Sequence, residues 1–148
     1  MSLSKGKRII AAIRSNPNMR AISIKTTRDN FEKRMHGSPS LFFKKLKNGL
    51  NSINGMTNRE YFRNLSGCYF SLEDTNNLEI IILYDSAISN LNELQIYVRI
   101  KKLLGLDIEI KHGTYAEFEH RITEMLGIVS RTQTFGDFYF DNKFEEIG

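Results

Sequence analysis

The amino-acid sequence predicts a single α+β domain, spanning residues 1–148, with a mostly antiparallel sheet. Leu78–Tyr84 is a β-branched apolar run with apolar residues on both faces, which is typical of an interior strand. Cys68–Leu72 alternates just before it and the residues between supply turn chemistry, so the two segments predict a β-hairpin. A helix at 90–104 and a strand at Leu106–Lys111 follow. A chain of 148 residues can bury a sufficient core without disulfides.

The first third of the chain predicts one strand and two helices. Residues 1–15 form a basic N-terminal arm or a short helix, and both alternatives stay open. Arg20–Lys25 alternates as an outer strand. A helix follows over Thr27–Met35 with Thr27 as its cap, and a second helix over Pro39–Ile53 has Ser38 as its cap.

The remaining segments complete the predicted order of elements. A capping box predicts a short helix over Thr57–Leu65, and another opens a helix at Thr114 that runs to Val129. Phe135–Phe140 alternates as a last strand. The order of elements matches the βαββαβ core of a ferredoxin-like fold, with an additional C-terminal helix and strand.

The helix at 90–104 has an unusually wide apolar arc. Its apolar side chains span more than half of a helical wheel and leave a polar strip of Asn92, Gln95, Arg99 and Lys102. Such a helix needs cover on two sides. The sheet supplies one cover, and the C-terminal segment or a second copy of the chain supplies the other, so a homo-oligomer through helix 90–104 is one prediction.

Charge is distributed unevenly along the chain. Residues 1–65 hold fourteen Lys and Arg against three Asp and Glu, a net charge of +11, whereas residues 66–148 have a net charge of −7. This asymmetry indicates a charged partner, although the two halves could also neutralise each other within the fold.

The basic half supplies the candidate binding residues. Three lysines lie on one face of the helix at 39–53, two arginines lie one turn apart on the next predicted helix, and three cations lie in the N-terminal arm. Such residues contact phosphates without reading bases. The predicted nucleic-acid-binding residues are Lys44, Lys45, Lys47, Arg59, Arg63, Lys5, Lys7 and Arg8.

One triplet in the strand after helix 90–104 carries catalytic residue types. Alternate strand positions place Asp107, Glu109 and Lys111 on one face. This spacing resembles the Glu-x-Lys half of the PD-(D/E)xK nucleases, and the resemblance implies carboxylates that bind a divalent cation and a lysine that positions water. The exposed face of an edge strand explains the same alternation, and we favour that interpretation.

Two histidines are followed by hydroxyl residues at the same spacing. His36-Gly-Ser38 and His112-Gly-Thr114 share an H-x-[ST] pattern that resembles the paired motif of the 2H phosphoesterases, which implies general acid and base histidines. Here each histidine is followed by glycine and then by a predicted helix cap. Helix capping therefore explains Ser38 and Thr114 without catalysis.

Several classes of function have no motif in the sequence. It has no phosphate-binding glycine loop, no Cys/His metal spacing and no nucleophile elbow, so we predict no cofactor and no metal site. Cys68 is the only cysteine, which suits a cytoplasmic protein. No apolar run approaches the length of a signal or membrane segment, so we expect a soluble protein without a membrane partner.

Two functions fit these observations. The first is a small non-enzymatic protein that binds the phosphate backbone of DNA or RNA through its basic N-terminal half. The alternative is a protein-interaction module, such as an assembly subunit or a small regulator or inhibitor, that binds an acidic protein surface or a second copy. A metal-dependent nuclease using Asp107, Glu109 and Lys111 is the remote alternative.

Overall fold

The computed structural model describes residues 18–53, 66–71, 75–86, 93–128 and 131–135. These residues contain five strands and four helices, so the fold class is α+β. In chain order the elements are β1 (Met19–Thr27), α1 (Arg28–Met35), α2 (Pro39–Ile53), β2 (Ser66–Ser71), β3 (Asn77–Asp85), α3 (Glu93–Leu104), β4 (Glu109–Thr114), α4 (Tyr115–Gly127) and β5 (Thr132–Phe135).

The five strands form one antiparallel sheet in the order β4-β1-β3-β2-β5. The predicted hairpin is confirmed, because β2 pairs with β3. The prediction of β1 as an outer strand is wrong, because β1 pairs with β3 on one side and β4 on the other. Met19 and Ala21 are buried on the face opposite Ile22 and Ile24. A strand that is covered on both faces belongs inside a sheet.

Three helices, α1, α2 and α3, cover one face of the sheet, which we call the three-helix face. Its core combines strand residues such as Ile22 and Ile80 with helix residues such as Phe31, Leu46 and Ile100, all of them fully buried. Each side chain of this kind stabilises the fold by about 1.5–3 kcal/mol when it is removed from water. The face is therefore a continuous apolar layer between sheet and helices.

The opposite face of the sheet, which we call the α4 face, packs against the last helix. Cys68 and Leu83 of the strands meet Ile122 and Met125 of α4 there. This double cover explains the continuous apolar run of β3, because its even positions face the three helices and its odd positions include two apolar residues that face α4. The prediction of an interior strand at Leu78–Tyr84 is confirmed.

Two of the predicted helix caps are confirmed by hydrogen bonds. Thr27 Oγ1 accepts from Asn30 N at 3.1 Å and begins α1. Ser38 Oγ accepts from Leu41 N at 3.2 Å and begins α2. Thr114 precedes α4 in extended conformation but makes no capping bond with its side chain. The hydroxyl of the first H-x-[ST] pattern is thus a helix cap, as predicted.

The predicted strand over Leu106–Lys111 lies three residues too early. Gly105 ends α3 with a φ of 81°, and the next residues bend before β4 begins at Glu109. Thr26 Oγ1 donates to the carbonyl of Asp107 at 3.1 Å and holds this bend.

Other predicted segments fall partly or wholly beyond the described residues. These are the arm at 1–15, the helix at 57–65 and most of the strand at 135–140. None of the described helices combines the length and the hydropathy needed to cross a membrane.

Candidate functional site

The three helices on one face of the sheet carry a basic surface. Residues 28–53 and 93–104 hold nine Lys and Arg against three Asp and Glu, whereas α4 on the opposite face holds three Glu against one Arg. In the described part of the chain, the helices on the two faces of the sheet thus differ in the sign of their net charge. We call these nine exposed or half-buried cations the basic helix surface: Arg28, Lys33, Arg34, Lys44, Lys45, Lys47, Arg99, Lys101 and Lys102.

The amphipathic pattern of α2 positions the lysines predicted from the sequence. Phe42 and Leu46 are fully buried in the core of the three-helix face, which turns the intervening residues outward. Lys44 and Lys45 are exposed, and Lys47 is half-buried. The structure therefore places all three where a charged ligand can approach the outer surface of α2.

Two arginines bring the cations of the three helices together. Arg99 of α3 donates from Nη2 to the carbonyl of Lys45 at 3.5 Å, and its guanidinium lies directly against Gly49 of α2. The guanidinium of Arg34 in α1 lies against Gly105, at the end of α3. The basic helix surface therefore joins α1, α2 and α3.

Sequence reasoning missed the contribution of α3 to this surface. Arg99, Lys101 and Lys102 belong to the half of the chain with a net charge of −7, so a charge sum along the sequence conceals them. The polar strip of helix 90–104, which contains Arg99 and Lys102, was the available signal. The remaining predicted binding residues, Lys5, Lys7, Arg8, Arg59 and Arg63, lie outside the described residues.

A cleft of about 580 Å³ opens at the end of the sheet where β1 ends and β3 begins. Asp107 and Glu109, two of the three nuclease candidates, line this cleft together with Glu79 of β3. The strand register places Lys25 between Glu79 and Glu109. Lys111 is exposed on β4 and does not line the cleft. Two residues of the triplet thus share a cleft with a third carboxylate.

Protein donors already occupy Glu79, the third carboxylate of the cleft. Ser23 Oγ donates to its Oε2 at 3.0 Å, and Arg121 Nε donates to its Oε1 at 2.8 Å. The Arg121 guanidinium also lies over the Phe70 ring, 5.2 Å from its centroid. In the part of the chain that the structure describes, no three His, Cys, Asp or Glu side chains are arranged to share a metal ion. The arrangement is that of a buried ion pair.

A second polar cluster converges on Glu93, the first described residue of α3. Arg20 donates to its Oε1 from Nε at 3.0 Å and from Nη2 at 2.5 Å. Tyr84 Oη donates to the same oxygen at 3.4 Å, and His112 Nε2 contacts the other carboxylate oxygen. The cluster therefore ties α3 to three adjacent strands, β4, β1 and β3.

The Glu93 cluster also shifts the ionisation of its members. Hydrogen bonding to Glu93 raises the pKa of Arg20 above its ordinary value. Burial, together with the nearby Glu93 charge, raises the pKa of Tyr84 to about 12. Tyr84 thus stays a neutral hydrogen-bond donor at neutral pH.

The two histidines of the H-x-[ST] pattern have different environments. His112 lies in β4 and contacts Glu93. His36 is at the C-terminal end of α1 in the left-handed conformation, with a φ of 53°. The pattern therefore marks one strand residue and one helix terminus. His120 lies on the surface of α4, where its Nε2 is 2.9 Å from Glu124 Oε1.

The single cysteine is an apolar core residue. Cys68 is fully buried on the α4 face. Burial and the charge of Glu79 raise the pKa of its thiol to about 12. A thiol with this pKa is protonated at neutral pH and is a poor nucleophile.

The wide apolar arc of α3 leaves large side chains exposed. Ile96, Ile100 and Leu104 are buried against the sheet, but Leu94 is 69% exposed and Val98 is 43% exposed. The two exposed residues lie one helical turn apart, so they share a side of α3.

Comparisons with protein-family models, with curated proteins and with solved structures gave no match to this chain.

Proposed function

We propose that this protein binds the phosphate backbone of DNA or RNA through the basic helix surface. The observation that carries the proposal is the gathering of cations from three helices on one face, opposite an acidic α4. Lysine and arginine side chains on such a surface neutralise phosphates and release condensed counterions, which favours binding without reading the bases. The function is binding and requires no bond to be made or broken.

We also propose a ferredoxin-like core for the first four strands. Their order, β4-β1-β3-β2, and their antiparallel pairing support this assignment, as does the placement of helices between β1 and β2 and between β3 and β4. In this scheme α4 and β5 are additions that cover the second face and extend the sheet beyond β2.

Binding can be tested by fluorescence anisotropy with a labelled duplex and a labelled single strand over a range of salt concentrations. Each phosphate neutralised on duplex DNA contributes about 0.9 to the slope of log affinity against log salt. Replacing Lys44, Lys45 and Lys47 together with Gln should therefore weaken binding and reduce that slope by about two to three.

A matched pair of single variants controls for net charge. Lys45→Gln and Lys25→Gln each remove one exposed positive charge, but Lys25 lies on the α4 face. We expect Lys45→Gln to weaken binding and Lys25→Gln to leave it almost unchanged. No measurable binding at low salt, or equal losses in both variants, would contradict the proposed interface.

A second candidate function is protein interaction, and the exposure of Leu94 and Val98 on α3 favours it. Apolar side chains of this exposure on adjacent turns fit an apolar partner surface. The partner would be a second copy of the chain, or an acidic protein surface that also contacts the cations of α3. Sedimentation of the Leu94→Gln variant tests this candidate, since a loss of association without a loss of nucleic-acid affinity would separate it from the first.

A further inference from the structure

Among the described strands, β4 is an edge strand of the sheet. It pairs with β1 on one side, and no strand in the described ranges pairs with its other side. All of its residues except Gly113 are exposed or half-buried. The unpaired N–H and C=O groups of an open edge can form hydrogen bonds with another strand.

The sequence of β4 is self-complementary in one antiparallel register. When Ile110 lies opposite Ile110 of a second copy, Glu109 lies opposite the second copy's Lys111, and Lys111 lies opposite its Glu109. The two ion pairs then form on the α4 face, where both side chains are exposed, and the isoleucines meet on the other face.

Neighbouring registers place like charges at the centre of the pairing. A shift of two residues in one direction places Lys111 opposite Lys111. In the other direction it places Glu109 opposite Glu109, and the Lys111 side chains then lie opposite Asp107 of the bend before β4. Like charges directly opposite each other on antiparallel strands are destabilising. A shift of one residue moves every side chain to the wrong face. The charges within β4 therefore favour the register that is centred on Ile110.

One exposed apolar residue of α3, Leu94, lies on the same side of the molecule as this edge. Glu93 contacts His112 of β4, whereas Arg99, on another side of the helix, contacts α2. At 100° per residue, Leu94 lies about 140° from Arg99 and therefore on the side of α3 turned away from α2. The open edge and the exposed Leu94 thus border the same flank.

We propose that β4 pairs with β4 of a second copy of this chain about a two-fold axis, which joins the two sheets into one continuous sheet. Two-fold pairing requires that residue i contacts residue j and that j contacts i, which Glu109 and Lys111 satisfy. Leu94 then lies on the side of α3 that is turned toward the second copy. The inference concerns self-association and does not depend on nucleic-acid binding.

Charge exchange on the full-length chain tests both the association and its register. The wild-type protein should sediment as a dimer. Glu109→Lys or Lys111→Glu converts two attractive contacts of the dimer into two repulsive ones, so each variant should raise the dissociation constant about tenfold or more. The double variant Glu109→Lys/Lys111→Glu restores both ion pairs and should dimerise like the wild type.

A mixture of the two single variants gives the sharpest result. One chain then presents two lysines at these positions and the other presents two glutamates, so the mixture should form heterodimers although each variant alone is impaired. Lys44→Glu, an equal charge reversal at an exposed residue of α2, on the side of α3 that carries Arg99, should not change association. Far-UV circular dichroism of every variant establishes that it is folded.

A wild-type protein that stays monomeric at all accessible concentrations would overturn the proposal. So would a double variant as impaired as the single variants, or a mixture that does not associate. Association that survives both charge reversals but is lost in Leu94→Gln would place the contact on α3 alone and exclude strand pairing.

Discussion

Glu79 is a buried carboxylate whose two donors allow its energetic role to be tested. Its side chain is 5% exposed, and Arg121 Nε donates to Oε1 at 2.8 Å while Ser23 Oγ donates to Oε2. Arg121→Leu removes the charged donor and leaves the hydroxyl of Ser23 as the remaining donor. The buried carboxylate of the variant therefore lacks its hydrogen-bonded countercharge, and the exposed Lys25 on the neighbouring strand is the nearest cation in the strand register.

The cost can be worked out from the environment of the pair. Removing one partner of a buried ion pair costs about 3–5 kcal/mol. Arg121 is 34% exposed, and a cleft leads from solvent to Glu79, so water screens part of the remaining charge. We therefore expect Arg121→Leu to lower the free energy of unfolding by about 2–3 kcal/mol, of which about 0.5 kcal/mol reflects the lost contact with the Phe70 ring.

A double-mutant cycle isolates the interaction. Glu79→Met removes the carboxylate, and the double variant Glu79→Met/Arg121→Leu replaces the pair with apolar side chains. The free energy of unfolding of the double variant should be within about 1 kcal/mol of the wild-type value, since buried ion pairs can often be replaced by apolar residues without loss of stability. Urea denaturation followed by circular dichroism measures each stability.

The control for this cycle is the second carboxylate that Arg121 contacts. Glu124 Oε2 lies 3.3 Å from Arg121 Nη1 and belongs to a side chain that is 49% exposed. Exposed ion pairs contribute little to stability, so Glu124→Gln should lower the free energy of unfolding by less than about 0.5 kcal/mol. The predicted role of the Glu79–Arg121 pair is contradicted if Arg121→Leu lowers the free energy of unfolding no more than Glu124→Gln does. It is also contradicted if the double-mutant cycle gives no interaction energy between Glu79 and Arg121.

Three further predictions follow from the core and the edge. Burial raises the pKa of the Cys68 thiol from 9.0 to about 12, so the stability that the thiol contributes is complete below about pH 9 and is lost as the pH rises toward 12. In urea denaturation, the free energy of unfolding of the wild type should therefore fall by about 1 kcal/mol more than that of Cys68→Ala between about pH 8 and about pH 10. Glu93→Ala removes an acceptor shared by three side chains, so it should cost about 1–2 kcal/mol and accelerate hydrogen exchange in β4; unchanged exchange there would contradict this role. Gly67→Ala should lower the free energy of unfolding by about 1–3 kcal/mol, because the added Cβ would lie 2.4 Å from the Phe43 ring. Gly127→Ala, at the open end of α4, should raise it by up to about 1 kcal/mol, and equal effects of the two variants would refute the packing argument.

Local patterns account for the helices and the central hairpin. The sequence predicts the caps at Thr27 and Ser38 and the apolar run of β3, because each of these features depends on residues that are close together in the chain. The interior position of β1 could not be predicted from the sequence, because Ala21 and Ser23 give its second face little apolar character. Ser23 is buried because it donates to Glu79, 56 residues away, and no local pattern encodes that partner.

The features of the candidate site also fall into those that local sequence predicts and those that depend on tertiary packing. Helical periodicity alone identifies Lys44 and Lys45 as outward residues. The junction of Arg99 with α2 and the cleft shared by Asp107 and Glu79 arise only when helices and strands pack together. The Glu93 cluster joins residues 73 positions apart, so it is likewise a product of tertiary structure.

The two proposals have a joint consequence. Antiparallel strands that pair about a two-fold axis keep corresponding faces on the same side of the joined sheet. Both basic helix surfaces would then lie on one face of the dimer, and a duplex long enough to reach both would bind about tenfold or more tightly than a short one, through effective concentration. Glu109→Lys adds positive charge and Lys111→Glu removes it, so a purely electrostatic effect would move their affinities in opposite directions. Loss of the preference for long duplexes in both variants would instead show that the dimer itself produces it.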